Sequence, residues 1–143
     1  MKYILPFLVI LTSVIGSLAN VYINSDTWYE ELIKSPFNPP SYVFGIVWPI
    51  LYAIMAFVSF KMAEKISTLF ILQLLANAAW SWIFFYFHAP LIALVDISVL
   101  IYLNLKIISV IKVESSILFY IYLPYLIWLS FAAFLNASII FLN

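Results

Sequence analysis

The chain has 143 residues, of which 67% are hydrophobic and only 8% are charged, and its formal net charge is zero. Its mean hydropathy of +1.16 and its apolar content lie far above those of soluble domains, in which about 45–50% of residues are apolar. The six lysines are dispersed along the chain, which argues against a nucleic-acid partner. A single histidine and the absence of cysteine argue against a metal site, and the absence of cysteine also excludes disulfides.

Five apolar runs are long enough to cross a bilayer. Lipid offers the backbone no hydrogen-bond partners, so continuous apolar runs of about 20 residues must be helical. The sequence therefore predicts an all-α integral membrane protein, a five-transmembrane-helix bundle that forms one domain over residues 1–143. The predicted helices cover residues 4–23, 43–60, 67–86, 91–111 and 117–141.

The connection at residues 24–42 is the one sizeable loop between the predicted helices, and it contains a proline-rich run at 36–40. Proline fixes φ and pushes the preceding residue out of the α region, so we expect this run to be extended and stiff. The loop could then act as a lid over the bundle, with Pro39, Pro40 and Tyr42 as its candidate lid residues.

Three predicted helices carry an aromatic and polar stripe at spacings i, i+3, i+4 and i+7, which place residues on one helix face. The stripes are Trp48, Leu51, Tyr52 and Met55 in the second helix, Gln73, Asn77, Trp80, Ser81 and Phe84 in the third, and Tyr125, Trp128, Ala132 and Asn136 in the fifth. Amides in hydrocarbon are costly unless paired, so these faces should point to a common interior. Such an interior suits a flat, mostly apolar ligand, for example a tetrapyrrole or a sterol.

Several of these residues also have a simpler interpretation. Tryptophan is enriched at membrane interfaces, and Trp28 and Trp82 are typical of such anchors. Membrane amides more often hold helices together than bind ligands. Asp96 lies too deep to reach the headgroups, so we expect it to face the interior, either hydrogen-bonded to a neighbouring helix or in a ligand or transport role. His88, in the short loop before Pro90, is typical of an exposed surface residue.

Lysine distribution predicts the orientation. Five of the six lysines fall on the side of the N-terminus, and only Lys34 falls on the other. We therefore expect a cytoplasmic N-terminus, with the first loop and the C-terminus outside, in a bacterial inner membrane.

Motifs along most of the chain keep the order and spacing of a known family. They are the run at 36–40, then Val43-Phe44-Gly45, Trp48 and Leu51-Tyr52, then Gln73, Asn77, Trp80-Ser81 and Phe84-Phe85, then Ala93-Leu94-Val95-Asp96, and finally Pro124-Tyr125, Trp128, Phe131-Ala132 and Leu135-Asn136. In these motifs the chain resembles the TspO/translocator protein family of tryptophan-rich sensory proteins.

The resemblance implies a five-helix bundle, often a homodimer, that requires no cofactor. Its pocket would lie beneath the first loop and bind porphyrins such as protoporphyrin IX, haem and benzodiazepine-site ligands. The ligand-binding positions that it implies are Trp48, Leu51, Asn77, Trp80, Phe84, Trp128, Ala132 and Leu135. The sterol motif of animal relatives is not matched, because no basic residue follows Leu135-Asn136. Phe37 stands where many relatives carry Trp.

Three functions fit these observations. The first is a membrane receptor or sensor that binds porphyrin. The second is light- and oxygen-dependent porphyrin degradation, with Trp48 and Trp128 as catalytic candidates. The third is a transporter of porphyrin or other lipophilic molecules, in which Asp96 would couple transport to protons. A purely structural membrane subunit is the remaining alternative. Hydrolase and nucleotide-driven chemistry is not expected, because no serine lies near the histidine in sequence and only two glycines are present.

Overall fold

The structure, a computed structural model, describes the backbone of residues 1–143 and all side chains except those of residues 22–25, which lie at the boundary of the predicted first helix and loop. The chain is helical almost throughout. The helices are α1 (Ile4–Ser25), α2 (Trp28–Glu31), α3 (Ser41–Ser81), α4 (Pro90–Glu114) and α5 (Ser116–Leu142), and a π-helical turn (Trp82–Tyr86) follows α3.

Helix α3 folds back on itself as a hairpin. The Tyr52 hydroxyl lies 2.9 Å from Asn77 Oδ1, and Gln73 Nε2 lies 3.7 Å from Met55 Sδ. In a straight helix, residues 52 and 77 would lie about 37 Å apart at 1.5 Å per residue. The two halves of α3 therefore run antiparallel, and the chain turns midway between the paired residues, near Glu64.

We call residues 41–60 the first arm of α3 and residues 67–81 its second arm. The sequence predicts a connection between them, because charged residues interrupt the apolar pattern there. The backbone instead stays helical through the turn. Its charged residues are lysine and glutamate, both good helix formers, and the turn contains neither glycine nor proline.

The chain thus forms the five-transmembrane-helix bundle that the sequence predicts. Among the residues that the structure describes, four continuous helical segments are long and apolar enough to cross a membrane, and one of them, Ser41–Tyr86, has 46 residues. That length is about twice the roughly 20 residues that one crossing needs. With its two arms counted separately, the bundle has five crossings.

Prolines and a serine define where the later helices begin. Pro40, with φ −57° and ψ 151°, is extended and directly precedes α3. Pro90 occupies the first turn of α4, where the missing N–H costs no helical hydrogen bond. Ser115 Oγ accepts a hydrogen bond from Leu118 N at 3.2 Å and caps the start of α5.

The two ends of the bundle differ in charge. Lys65 Nζ lies 3.7 Å from Glu114 Oε1, and Lys2 Nζ lies 4.5 Å from the centroid of the Phe60 ring, so α1 begins at the same end as the turn of α3. This basic end carries Lys2, Lys61, Lys65 and Lys112 against Glu64 and Glu114, and Lys106 lies about two turns further in. The opposite end, which contains the first loop, carries Asp26, Glu30 and Glu31 against Lys34.

Candidate ligand-binding site

A cavity of about 840 Å³ lies in the half of the bundle beneath the first loop. All four long helices, the loop and the π-helical turn contribute to its wall. Small-molecule pockets in proteins typically enclose about 300–1,000 Å³, so this cavity could accommodate a sizeable ligand.

Most of the residues predicted to bind ligand surround this cavity. Seven of the eight line it: Trp48, Asn77, Trp80, Phe84, Trp128, Ala132 and Leu135. The eighth, Leu51, is buried in the hydrophobic core and does not line the cavity. Of the predicted lid residues, Pro39 and Pro40 line the cavity, whereas Tyr42 is 69% exposed and does not.

Helix α1 also contributes to the wall, which the sequence analysis missed. Its residues Ser13, Gly16, Ser17 and Asn20 line the cavity. They recur at the spacing i, i+3, i+4 and i+7, so the signal was present in the sequence as a stripe of small and polar residues along an apolar helix.

Aromatic rings form much of the cavity wall. The rings of Trp80 and Phe84 stack with their centroids 5.1 Å apart, and those of Phe44 and Trp128 meet edge to face at 5.8 Å. The Trp80 indole N–H donates to Asn136 Oδ1 at 3.0 Å, which fixes the orientation of that ring. Such a wall offers flat apolar faces to a ligand.

Buried polar side chains lie beneath the cavity and connect both arms of α3 with α4 and α5. The cavity-lining pair Tyr52 and Asn77 leads through Tyr125 to Gln73, and from there to Asn104 and Tyr122 on the side of the basic end. All members of this network except the cavity-lining pair are fully buried. The amides thus act as interhelical contacts, and Asn77 also reaches the cavity.

Two buried polar atoms lack a hydrogen-bond partner among the side chains that the structure describes: Trp128 Nε1 and Asp96 Oδ2. The Trp128 ring lines the cavity, but its N–H is enclosed by protein atoms. Asp96 is half-buried on α4, with one oxygen enclosed as expected, but it does not line the cavity. Asp96 therefore has no place in the candidate site.

Two contacts hold the first loop against the end of α5. Asn143 Oδ1 accepts from Ile33 N at 3.0 Å, and Asn143 Nδ2 donates to Ile33 O at 2.9 Å. Within the loop, Lys34 Nζ lies 4.4 Å from the centroid of the Tyr29 ring. Burial raises the pKa of Tyr29, and a hydrogen bond with Asn38 partly offsets this, so its phenol remains protonated at neutral pH.

The loop is also held at the π-helical turn. The rings of Trp28 and His88 stack with centroids 4.3 Å apart, and His88 Nε2 lies 3.1 Å from Asp26 Oδ2. His88 is exposed, as expected, and has a positive φ of 53°, which is uncommon for a residue other than glycine. Trp28, which the sequence suggests as an interfacial anchor, also packs on Phe84 of the cavity wall.

Comparison with known proteins shows similarity along nearly the whole chain. The profile of the TspO/MBR family matches residues 4–142. The tryptophan-rich protein TspO of Chlorobaculum tepidum is 36% identical over 131 residues, covering 81% of this chain and 79% of that protein. The protein of the same name from Archaeoglobus fulgidus is 36% identical over 125 residues, covering 82% and 80%. A tryptophan-rich sensory protein of Cereibacter sphaeroides is 29% identical over 126 residues, covering 82% and 78%.

Proposed function

The chain belongs to the TspO/MBR family, and from this membership and the cavity we propose that it is a membrane receptor or sensor for porphyrins, such as protoporphyrin IX and haem. Ligands of the benzodiazepine-site type would occupy the same space. The ligand lies between aromatic rings within the bundle, beneath the first loop.

The cavity itself carries this proposal. Its volume, its aromatic wall and its uncharged interior fit a large, flat and mostly apolar molecule. The charged residues that line it, Glu30 and Lys34, belong to the loop. The carboxylates of a porphyrin would therefore lie at the loop, and its macrocycle would lie deeper among the indole rings.

The proposed orientation places the basic end in the cytoplasm and the loop outside, in a bacterial inner membrane. Loops rich in lysine are retained on the cytoplasmic side during insertion. The five lysines on the side of the basic end support this arrangement, as does the excess of acidic residues at the opposite end.

A titration of the detergent-solubilised protein with protoporphyrin IX in the dark tests the proposed function. Trp48, Trp80 and Trp128 line the cavity, so a bound porphyrin should quench their fluorescence in a saturable way. A parallel titration of free N-acetyltryptophanamide in the same detergent corrects for absorption of light by the porphyrin. Quenching that rises linearly without saturation would contradict the proposal.

Light-dependent porphyrin degradation is the second candidate function, because Trp48 and Trp128 both line the cavity. Under illumination with dioxygen as the oxidant, we expect Trp48→Phe and Trp128→Phe each to slow the loss of porphyrin absorbance while the dissociation constant changes little. Phenylalanine keeps an aromatic surface but removes the more easily oxidised indole.

Trp82→Phe is the matched control for this experiment, because Trp82 does not line the cavity and its indole N–H bonds to Ile15 O on α1. This variant should degrade porphyrin at the wild-type rate. Equal rates in all three variants and the wild type would rule out a role for the cavity tryptophans in degradation.

A further inference from the structure

The hydrogen-bond direction in the buried polar network is fixed by a backbone carbonyl. Asn104 Nδ2 lies 2.9 Å from Leu100 O, which can only accept a hydrogen bond. A flipped Asn104 amide would place two acceptors against each other. Its nitrogen must therefore face Leu100 O, and its Oδ1 accepts from the Tyr122 hydroxyl at 2.5 Å.

The same constraint passes along the network to the next two members. Asn104 Nδ2 also lies 3.1 Å from Gln73, so the Gln73 atom at that contact must be Oε1. The Tyr125 hydroxyl lies 2.7 Å from Gln73 Oε1, and since that oxygen carries no hydrogen, Tyr125 must donate. Tyr125 has a single hydroxyl hydrogen, which this bond uses.

The cavity-lining members of the network then have only one arrangement. With its hydrogen committed, Tyr125 Oη accepts from the Asn77 amide at 2.8 Å, so the atom there is Nδ2. Asn77 Oδ1 is left facing Tyr52, and the Tyr52 hydroxyl must donate to it at 2.9 Å. Without breaking this network, Tyr52 Oη can offer a ligand only its lone pairs.

The space beside Tyr52 Oη is open because residue 16 is a glycine. A Cβ on Gly16 would lie 3.8 Å from Tyr52 Oη and 3.8 Å from Ser81 Oγ, and both Gly16 and Ser81 line the cavity. We call the space between these three residues the α1 recess. It gives a ligand access to the phenol oxygen.

The N–H groups of two wall tryptophans are committed or enclosed. The Trp80 N–H donates to Asn136, which in turn donates to Pro90 O at 2.9 Å, and the Trp128 N–H is enclosed by protein atoms. We propose, on the basis of the proposed function, that the cavity selects ligands with an N–H or O–H donor, which Tyr52 Oη accepts in the α1 recess. The Ser81 hydroxyl also borders this recess, so a test must isolate the contribution of the Tyr52 hydroxyl.

Three ring compounds of the same shape test this inference. Carbazole carries an N–H donor at the position where fluorene carries CH₂ and dibenzofuran carries an acceptor oxygen. We would measure the dissociation constant of each from the quenching of protein fluorescence or from displacement of protoporphyrin IX. The preference for carbazole is the dissociation constant of fluorene divided by that of carbazole. It is compared between the wild-type protein and Tyr52→Phe, so that the partition of each compound into detergent cancels.

We expect the preference for carbazole over fluorene to be about fivefold to tenfold greater in the wild-type protein than in Tyr52→Phe, as befits one net hydrogen bond. Fluorene should bind to the wild-type protein and to Tyr52→Phe with the same affinity, and so should dibenzofuran. Tyr120→Phe is the matched control, because Tyr120 is 68% exposed and lies outside the cavity, and it should keep the wild-type preference.

Gly16→Val is a second variant that leaves the Tyr52 hydroxyl and the network in place. Its methyl groups would occupy the α1 recess, so the preference for carbazole should fall here as well. An unchanged preference in both Tyr52→Phe and Gly16→Val overturns the inference and leaves the proposed function standing. If none of the three compounds binds saturably, the inference is also overturned. If protoporphyrin IX does not bind either, the proposed function is overturned as well.

Discussion

Ala132→Phe should lower the affinity for protoporphyrin IX by about two orders of magnitude, which corresponds to about 2.8 kcal/mol of binding free energy. Ala132 lines the cavity one turn from Trp128, on the same face of α5. A phenyl group there would occupy the space between the indole rings that the macrocycle needs. Overpacking of a filled site costs about 1–3 kcal/mol, which agrees with a loss of this size.

The measurement is the dark fluorescence titration, with thermal unfolding in detergent as a check that the variant is folded. Ala53→Phe adds the same group to an exposed position on the first arm of α3 and should leave the affinity unchanged. If a folded Ala132→Phe variant bound porphyrin as tightly as the wild-type protein, the ligand would have to bind outside this cavity.

Asn104→Leu should lower the free energy of unfolding by about 2 kcal/mol, because it leaves the buried Tyr122 hydroxyl without a partner. The substitution also removes the bonds from Asn104 to Gln73 and Leu100. Hydrogen bonds within membrane bundles contribute about 0.6 kcal/mol each on average, so the unpaired phenol should account for much of the loss. Unfolding by sodium dodecyl sulfate in mixed micelles measures the change.

A double variant separates the unpaired phenol from the loss of packing. In Asn104→Leu with Tyr122→Phe, both partners are removed and no unpaired hydroxyl remains, so the double variant should be more stable than Asn104→Leu alone. Ser98→Ala, at an exposed position on the same helix, is the control and should unfold like the wild-type protein. A double variant less stable than the single one would contradict this explanation.

Hydropathy alone predicts the five crossings, because the bilayer leaves helices as the only way to satisfy the backbone of long apolar runs. It could not predict that the turn near Glu64 stays helical. Charged residues ended the apolar pattern there, but charge does not break a helix. The short helix α2 within the first loop was missed for the opposite reason, since its four residues are too few to form a periodic pattern.

Helical periodicity and family resemblance together predict most of the cavity wall, but the exceptions have geometric causes. Leu51 shares a stripe with Trp48, yet a helix face is broad, and the first arm of α3 directs Trp48 into the cavity and Leu51 into the core. The α1 residues were missed because small side chains in an apolar helix also fit ordinary close packing. The direction of the hydrogen bonds at Tyr52 depends on Leu100 O, a backbone atom that no sequence pattern identifies.

The buried polar network has a consequence for how the protein is made. During synthesis each helix enters the membrane after those that precede it in the chain. Asn77 of the second arm bonds Tyr52 of the first, and Asn104 of α4 then bonds Gln73 of the second arm.

The same order continues to the last helix, whose Tyr122 and Tyr125 bond partners on α4 and α3. Each polar side chain of the network after the first arm thus meets at least one partner that is already in the bilayer, which for Gln73 is Met55 Sδ. The remaining bonds, such as the one from Asn77 Nδ2 to the Tyr125 hydroxyl, form when α5 enters, so the network closes step by step in the order of the helices along the chain.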